Sequence, residues 1–379
     1  GSAVTVADGT TIADATVTGN ATSGTGLDVS GNATLTNATV SGNTSTGTGV
    51  NISGNLVNGG STTVAGNASG SGAGVDLGGN VTGGSVTGNA NSGTGVIVSG
   101  GNSTATDTVI SGNTSTGTGL NISGHLVNGG STTVAGNADR SGTGASISGI
   151  VNGDIHGSSE SGNGVQITDG ANISAGSTVT GSSVSGNGAT VEGSVTNGGS
   201  IAGNSTDGDG INLSATVSGG GAMRGNSGKQ AGVHVSGDSH LDGVDLSGST
   251  TDGSGIQMDG DLTYTAGTSI DNTVNAGGSG HGSSGNGNIS LYVPPVAPPD
   301  VTPSVNPDIP DVPATVLRQV PRQQAINSQA PMRQPVTRAS GYRMAPRTAD
   351  ITLCDGTQCS SESLDANGPS EKTTASAGQ

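Results

Sequence analysis

A three-residue phrase, apolar–x–apolar and usually followed by Ser-Gly, returns along most of this chain and limits it to one kind of architecture. It first appears as Leu27-Asp28-Val29. It returns at Val50-Asn51-Ile52, Val75-Asp76-Leu77, Val96-Ile97-Val98, Leu120-Asn121-Ile122, Ala145-Ser146-Ile147 and Val165-Gln166-Ile167. Further copies lie at Ala189-Thr190-Val191, Ile211-Asn212-Leu213, Val233-His234-Val235 and Ile256-Gln257-Met258. The step between copies is about 23 residues, inside the range that marks solenoids. Apolar residues at i and i+2 leave a strand on the same side. With no helical period between copies, the phrase predicts a β-helix.

Two more columns complete each turn. One precedes Gly-Asn: Val17, Val40, Val64, Val86, Ile110, Val134, Val184, Ile201 and Met223. The other runs through Leu56, Val81, Leu126, Val151, Ile173, Val195, Val217, Leu241 and Leu262. Three short strands joined by Gly-, Asn- and Ser-rich corners close one triangular turn. A single turn cannot bury its inward residues, so stacking makes the core. The expectation is an all-β, right-handed parallel β-helix of about eleven turns over residues 1–275, the hand following the crossover preference. Rungs of about 4.8 Å make that roughly 50 Å long. Composition agrees: there are 73 Gly, no Phe and no Trp, and a narrow coil favours small and β-branched inward residues. Disorder would not hold apolar residues in phase.

Asn20, Asn43, Asn67, Asn89, Asn113, Asn137, Asn163, Asn187, Asn204 and Asn226 follow those glycines and read as a structural ladder of stacked amides. Residues 41–68 and 111–138 match except at Val50/Leu120 and Asn55/His125, so a three-turn block was duplicated.

The phase ends near residue 292. Residues 276–317 read as a Gly/Ser and then Pro-rich spacer, with Pro294, Pro295, Pro298 and Pro299 at the start of the extended stretch. Residues 318–379 form a basic and then polar tail containing Arg318, Arg322, Arg333, Arg338, Arg343 and Arg347. The whole chain carries a net charge of −17, nearly all of it before the spacer. An acidic coil argues against nucleic acid or an anionic membrane as partner. In an exported chain Cys354 and Cys359 would close a small disulfide loop around the turn-forming Asp355-Gly356. As a zinc site the pair lacks two ligands.

On these residues the chain resembles the large exoproteins of Gram-negative two-partner secretion, of the filamentous-haemagglutinin and high-molecular-weight adhesin type. The resemblance covers residues 3–275 through repeat length and composition, and the tail through the cysteine pair. It implies a carboxy-terminal fragment of a monomeric adhesin, secreted or held at the cell surface. The partners it implies are an outer-membrane transporter, gripped through the Cys354–Cys359 loop, and a host receptor or glycan. It also implies glycosylation at some Asn-x-Ser/Thr sites, with Asn20, Asn32, Asn37, Asn43, Asn67, Asn102, Asn113 and Asn204 as candidates. The family's amino-terminal secretion domain and a signal peptide are not found in the sequence.

No catalytic, cofactor-binding or metal-binding set is assigned. The competing reading is a β-helical polysaccharide lyase or hydrolase using late carboxylates: Asp207, Asp209, Asp238, Asp242, Asp245, Asp252, Asp259 and Asp261, with Arg224, Lys229 and His234 nearby. Without aromatic platforms or long cleft-forming loops, those carboxylates read as corner residues. A passive biofilm scaffold is a third reading, close to adhesion.

Overall fold

A computed structural model describes residues 1–274, 281–292, 350–355 and 358–363. Gly1–Asp300 and Val301–Gln379 are separate compact units. The first is a parallel β-solenoid. Its turns present three faces, and among the described residues it contains no helix. The first face holds the repeated phrase, in strands such as Thr25–Val29, Thr48–Ile52 and Ala73–Leu77. The second holds strands such as Ala33–Thr36, Asn55–Gly59 and Asn80–Thr82. The third is a sheet of twelve strands from Thr16–Asn20 to Ile270–Val274, which makes about twelve turns. Ala189–Asn197 and Ile211–Ser218 are long enough to run across the corner between the first and second faces.

On the first face stacking is residue over residue, whereas on the second face the register shifts, so that Leu126 lies beside Ser103, Ile173 beside Asn197 and Leu262 beside Ser239. Leu27 lies beside Val50, Val50 beside Val75, Val96 beside Leu120, and Ile211 beside Val233. Val50, Val75, Val96, Leu120, Ile211 and Val233 have no solvent exposure. Each such side chain contributes roughly 1.5–3 kcal/mol relative to an exposed one. That contribution exists only when the rung above and the rung below are in register.

Three expectations need correction. The coil does not stop at residue 275: His281–Gly285 pairs with Ser254–Met258, and Ile289–Leu291 pairs with Leu262–Tyr264. Val184 is not in the third-face column but is half exposed at a corner. Ile155 and Val179 take that column instead, in register with Val134 and Ile201 and fully buried. With Val184 go Asn163 and Asn187, whose places in the ladder are filled by Ser158 and Ser182. The cause is local. In these two turns the inward glycine is followed by Ser, while a second Gly-Asn pair sits at the next corner and imitates the motif.

The inward glycines of the third face have a steric reason. A Cβ on Gly42, Gly66, Gly88 or Gly112 would collide with the carbonyl oxygen of Gly49, Gly74, Gly95 or Gly119 on the first face of the same turn. Two glycine columns thus let two sheets meet backbone to backbone at this corner. Gly112→Ala is expected to destabilise the coil by about 3 kcal/mol, at the upper end of overpacking costs. Gly101→Ala, where a Cβ meets nothing within 4 Å, is expected to be neutral, and chemical denaturation of both variants checks the difference.

In the second unit, Asp350–Asp355 and Gln358–Ser363 form an antiparallel hairpin in which Cys354 lies opposite Cys359. Asp355 pairs with Gln358. The rest of the expected spacer and tail, residues 276–280, 293–349, 356–357 and 364–379, lies outside the described residues.

Candidate functional site

The polar groups that sequence reasoning singles out are used mainly to tie one turn to the next. In the ladder, Asn43 Nδ2 donates to Asn20 Oδ1 (2.7 Å), Asn67 to Asn43 (2.8 Å), Asn89 to Asn67 (2.8 Å), Asn113 to Asn89 (2.9 Å) and Asn137 to Asn113 (3.0 Å). Ser158 Oγ then donates to Asn137 Oδ1, and the amide ladder resumes between Asn226 and Asn204. A shorter ladder on the second face joins Asn80 to Asn55 and Asn55 to Asn32. On the first face Asn51 Nδ2 donates to Asp28 Oδ1 at 2.7 Å, so part of the outward column is also stapled.

The glycosylation candidates therefore fall into two groups. Asn43, Asn67, Asn113 and Asn37 already donate one Nδ2 hydrogen to the preceding turn. Asn20, Asn32 and Asn204 accept through Oδ1 from the turn above, as Asn102 does from His125. Sugar attached to the first group would have to grow from nitrogens that are also rungs of a ladder.

The acidic residues show a second regularity. Asp8, Asp107, Asp154, Asp169, Asp209, Asp238, Asp245 and Asp261 each accept a backbone N–H from the following turn, at 2.7–3.1 Å. A carboxylate there satisfies a corner N–H that the strand ladders do not reach. Four of the eight candidate lyase acids, Asp209, Asp238, Asp245 and Asp261, are such caps. They occupy three corners: Asp209 lies at one, Asp245 at another, and Asp238 and Asp261 stack at a third, where they line a shallow depression with His240. Asp242 accepts from Thr265 Oγ1 at 2.8 Å, and Asp207 pairs with Lys229 Nζ at 2.7 Å. Arg224 lies on the third face beside Asp245 and Asp271. Among the described residues no group of three or more His, Cys, Asp or Glu is arranged to hold a metal ion.

The tightest ionisable constellation joins Asp209, His234 and Asp259. His234 projects from the first face, where three successive turns align Asn212, His234 and Gln257. Its Nδ1 lies 2.9 Å from Asp209 Oδ2 and its Nε2 2.9 Å from Asp259 Oδ2. Asp209 is buried, while Asp259 is about half exposed and also accepts from Gln257 Nε2. The hydrogen bond His234 donates to Asp209 is the main influence holding the His234 pKa above its ordinary value; desolvation opposes it and Asp259 adds to it. Asp259 in turn is held below the usual carboxylate range, chiefly by its bond to His234. A protonated ring donates at both nitrogens, which leaves no free nitrogen for use as a base. With the ring protonated, the group is a charged clasp across three turns.

Sequence reasoning missed one device. Buried hydroxyls after the third-face strands close the next corner: Gly117 N–H donates to Thr114 Oγ1 (3.0 Å), and Thr114 donates to Gly93 O (3.2 Å). Ser159, Ser183, Ser205, Ser227 and Thr250 repeat the pattern. The only signal is Ser or Thr two residues after the inward glycine, and hydroxyls are too common here to stand out. A second missed regularity is Asn-Gly-Gly-Ser at residues 58–61, 128–131 and 197–200, recurring every three turns. Each Asn Nδ2 reaches a carbonyl one turn ahead, at Gly83, Asp154 and Ala222.

No protein family and no curated protein matches the sequence. Among solved structures, an ice-binding protein from an Antarctic bacterium, Flavobacteriaceae, is similar at 12% identity and a TM-score of 0.16, covering 78% of this chain and 82% of that one. A likeness that weak carries no functional argument.

The clasp has a defined pH dependence. His234 has its pKa raised in the fold, so its contribution is complete below the unfolded value near 6.5 and is lost as pH rises through the folded value. Hydrogen exchange of residues 233–258 is expected to be slower at pH 5.5 than at pH 8.5, after correction for intrinsic rates. His234→Gln is expected to remove that difference.

Proposed function

We propose that this chain is a non-catalytic, surface-displayed adhesin: a β-solenoid stalk that mediates attachment of a Gram-negative bacterium to host cells or other surfaces. The observation that supports the reading is the employment of the polar groups. Carboxylates, amides and the histidines His125, His234 and His240 are engaged between turns, as a scaffold requires, and among the described residues no reacting constellation is assembled from them. Such a coil extends by copying turns, and the near-identical blocks at 41–68 and 111–138 fit a protein selected for reach.

In this reading the second unit is the tether. A facing pair in an antiparallel hairpin has Cα atoms about 4.5–5.5 Å apart, within the span of a disulfide. The hairpin register of Cys354 and Cys359 therefore supports a loop closed by oxidation and retained by an outer-membrane transporter, with a host receptor or glycan as the distal partner. Glycosylation at the sequons belongs to the same proposal, and intact mass from the native host reads it out.

Expression with the cognate transporter tests the tether. Cys354→Ser and Cys359→Ser, singly or together, are expected to move the protein from the cell surface to the medium, measured by surface labelling against culture supernatant. Unchanged retention removes the tether. Cleavage of polygalacturonate or a similar polymer by the purified chain, with or without calcium, replaces the stalk with a lyase.

A further inference from the structure

Near its carboxy-terminal end the second face brings carboxylates, a histidine and an exposed aromatic ring together. Ser239 and Leu262 are register partners, so Asp238 and Asp261, which precede them, stack at one corner. Each uses Oδ1 to accept a backbone N–H of the following turn, Asp238 from Asp261 (3.0 Å) and Asp261 from Asn288 (2.9 Å). Their Oδ2 atoms meet no donor among the described residues. Both side chains are exposed and line a shallow depression with His240, Thr216 and Thr263.

His240 leaves the strand two residues after Asp238, between Thr216 and Thr263 of the adjoining turns. Thr263 gives its single hydroxyl hydrogen to Ser239 O (3.2 Å), so the 2.8 Å contact with His240 uses a hydrogen on Nδ1. In the neutral ring Nε2 is therefore an acceptor, and it meets no partner among the described residues. Against the imidazole stands Tyr292, 46% exposed, with ring centroids 5.2 Å apart and planes at 76°. The Tyr292 N–H is tied to Tyr264 O at 2.7 Å. Corner caps elsewhere, such as Asp8 and Asp107, have no such ring pair beside them.

We infer that this depression is a binding site for a guanidinium group, presented by an arginine side chain of a partner protein. Asp238, Asp261 and His240 offer acceptors and no hydrogen, and a guanidinium is all donor. A sugar hydroxyl, donor and acceptor at once, finds only half its complement in those three groups. The negative charge is also unopposed. Asp242 adds a carboxylate in the next outward column. The described cations of the coil lie elsewhere: Arg224 on the third face, Lys229 paired with Asp207, and Arg140 several turns earlier. Spacing favours a group over an ion. Along the strand Asp238 and His240 stand about 7 Å apart, and between turns Asp238 and Asp261 stand about 4.8 Å apart. Among the described residues no three such side chains are arranged to hold a metal ion. A planar fork reaches acceptors that far apart, and Tyr292 gives it an exposed aromatic surface to lie against. The site supplies a chemistry for the distal partner of the proposed adhesin and rests on that reading only for who the partner is. The tether assay and the titration below fail separately.

Acetyl-arginine amide is the probe. It is titrated into the purified full chain at about 0.15 M salt, where charges more than about 8 Å apart are largely screened. It is expected to bind in the millimolar range and to shift the ring resonances of His240 and Tyr292. Acetyl-citrulline amide, of similar shape without the charge, is expected to bind about tenfold more weakly. Asp238→Asn with Asp261→Asn keeps an Oδ1 for each corner N–H, removes both charges, and is expected to weaken binding by about tenfold or more. Asp8→Asn with Asp107→Asn makes the same charge change at caps of earlier turns and is expected to leave binding unchanged. Thermal melts establish that each variant is folded. If the first pair melts early, Tyr292→Ala, which keeps the backbone bond, replaces it, with several-fold weakening expected. No shift of either ring up to about 20 mM probe overturns the inference, as does equal weakening by the control pair or equal binding of the citrulline compound. So does movement of the same resonances by calcium or a methyl glycoside in place of the arginine probe, which would assign the depression to a metal ion or a sugar.

Discussion

Register between successive turns is the constraint on which everything else here depends. Each turn offers only a few small apolar side chains, such as Val75 and Leu77 or Val96 and Val98. None has a core of its own. Their burial comes from the identical positions one turn away, and a slip of one residue would send the whole inward set to solvent. The polar columns enforce the same register from outside. Asn67 finds the Oδ1 of Asn43, Asp154 finds the N–H of Thr178, and Thr114 finds the carbonyl of Gly93 only when the turns are aligned. Apolar and polar terms therefore select one stacking together.

The fold was legible because the phase of Val, Ile and Leu survives single substitutions: Ala145 and Ala189 keep the first-face column although they fill less of it. The Asn ladder was legible for the same reason. Reading failed where a motif stood in for a position. Gly162-Asn163 and Gly186-Asn187 resemble the third-face signature, yet the inward glycines of those turns are Gly157 and Gly181, each followed by Ser. A hydroxyl at Ser158 continues the ladder by donating to Asn137 Oδ1, so the structure tolerates the exchange that broke the pattern. The end of the coil was misread because His281–Gly285 brings Ser283 to the position beside Ile256, and a polar rung carries no apolar phase.

The candidate site was legible only in part. The late acids and His234 were visible as a cluster in sequence, but their division into corner caps and one three-turn clasp is a property of the stacking. Asp209 and Asp259 reach His234 from turns on either side, 25 residues away in each direction. Nothing in the local sequence distinguishes them from Asp238 or Asp261. The caps also account for much of the acidity of the chain. Asp is a short acceptor that reaches the next turn's N–H from a corner, so a long coil accumulates negative charge as it lengthens.

Amide hydrogen exchange across residues 1–274, at single-residue or overlapping-peptide resolution, tests the central claim most directly. Register stacking predicts protection that rises and falls with a period of about 23 residues, strongest at the strands containing Val50, Val75, Val96 and Leu120 and weakest at the corners between faces. Uniformly fast exchange, or protection with a helical period, would contradict the account.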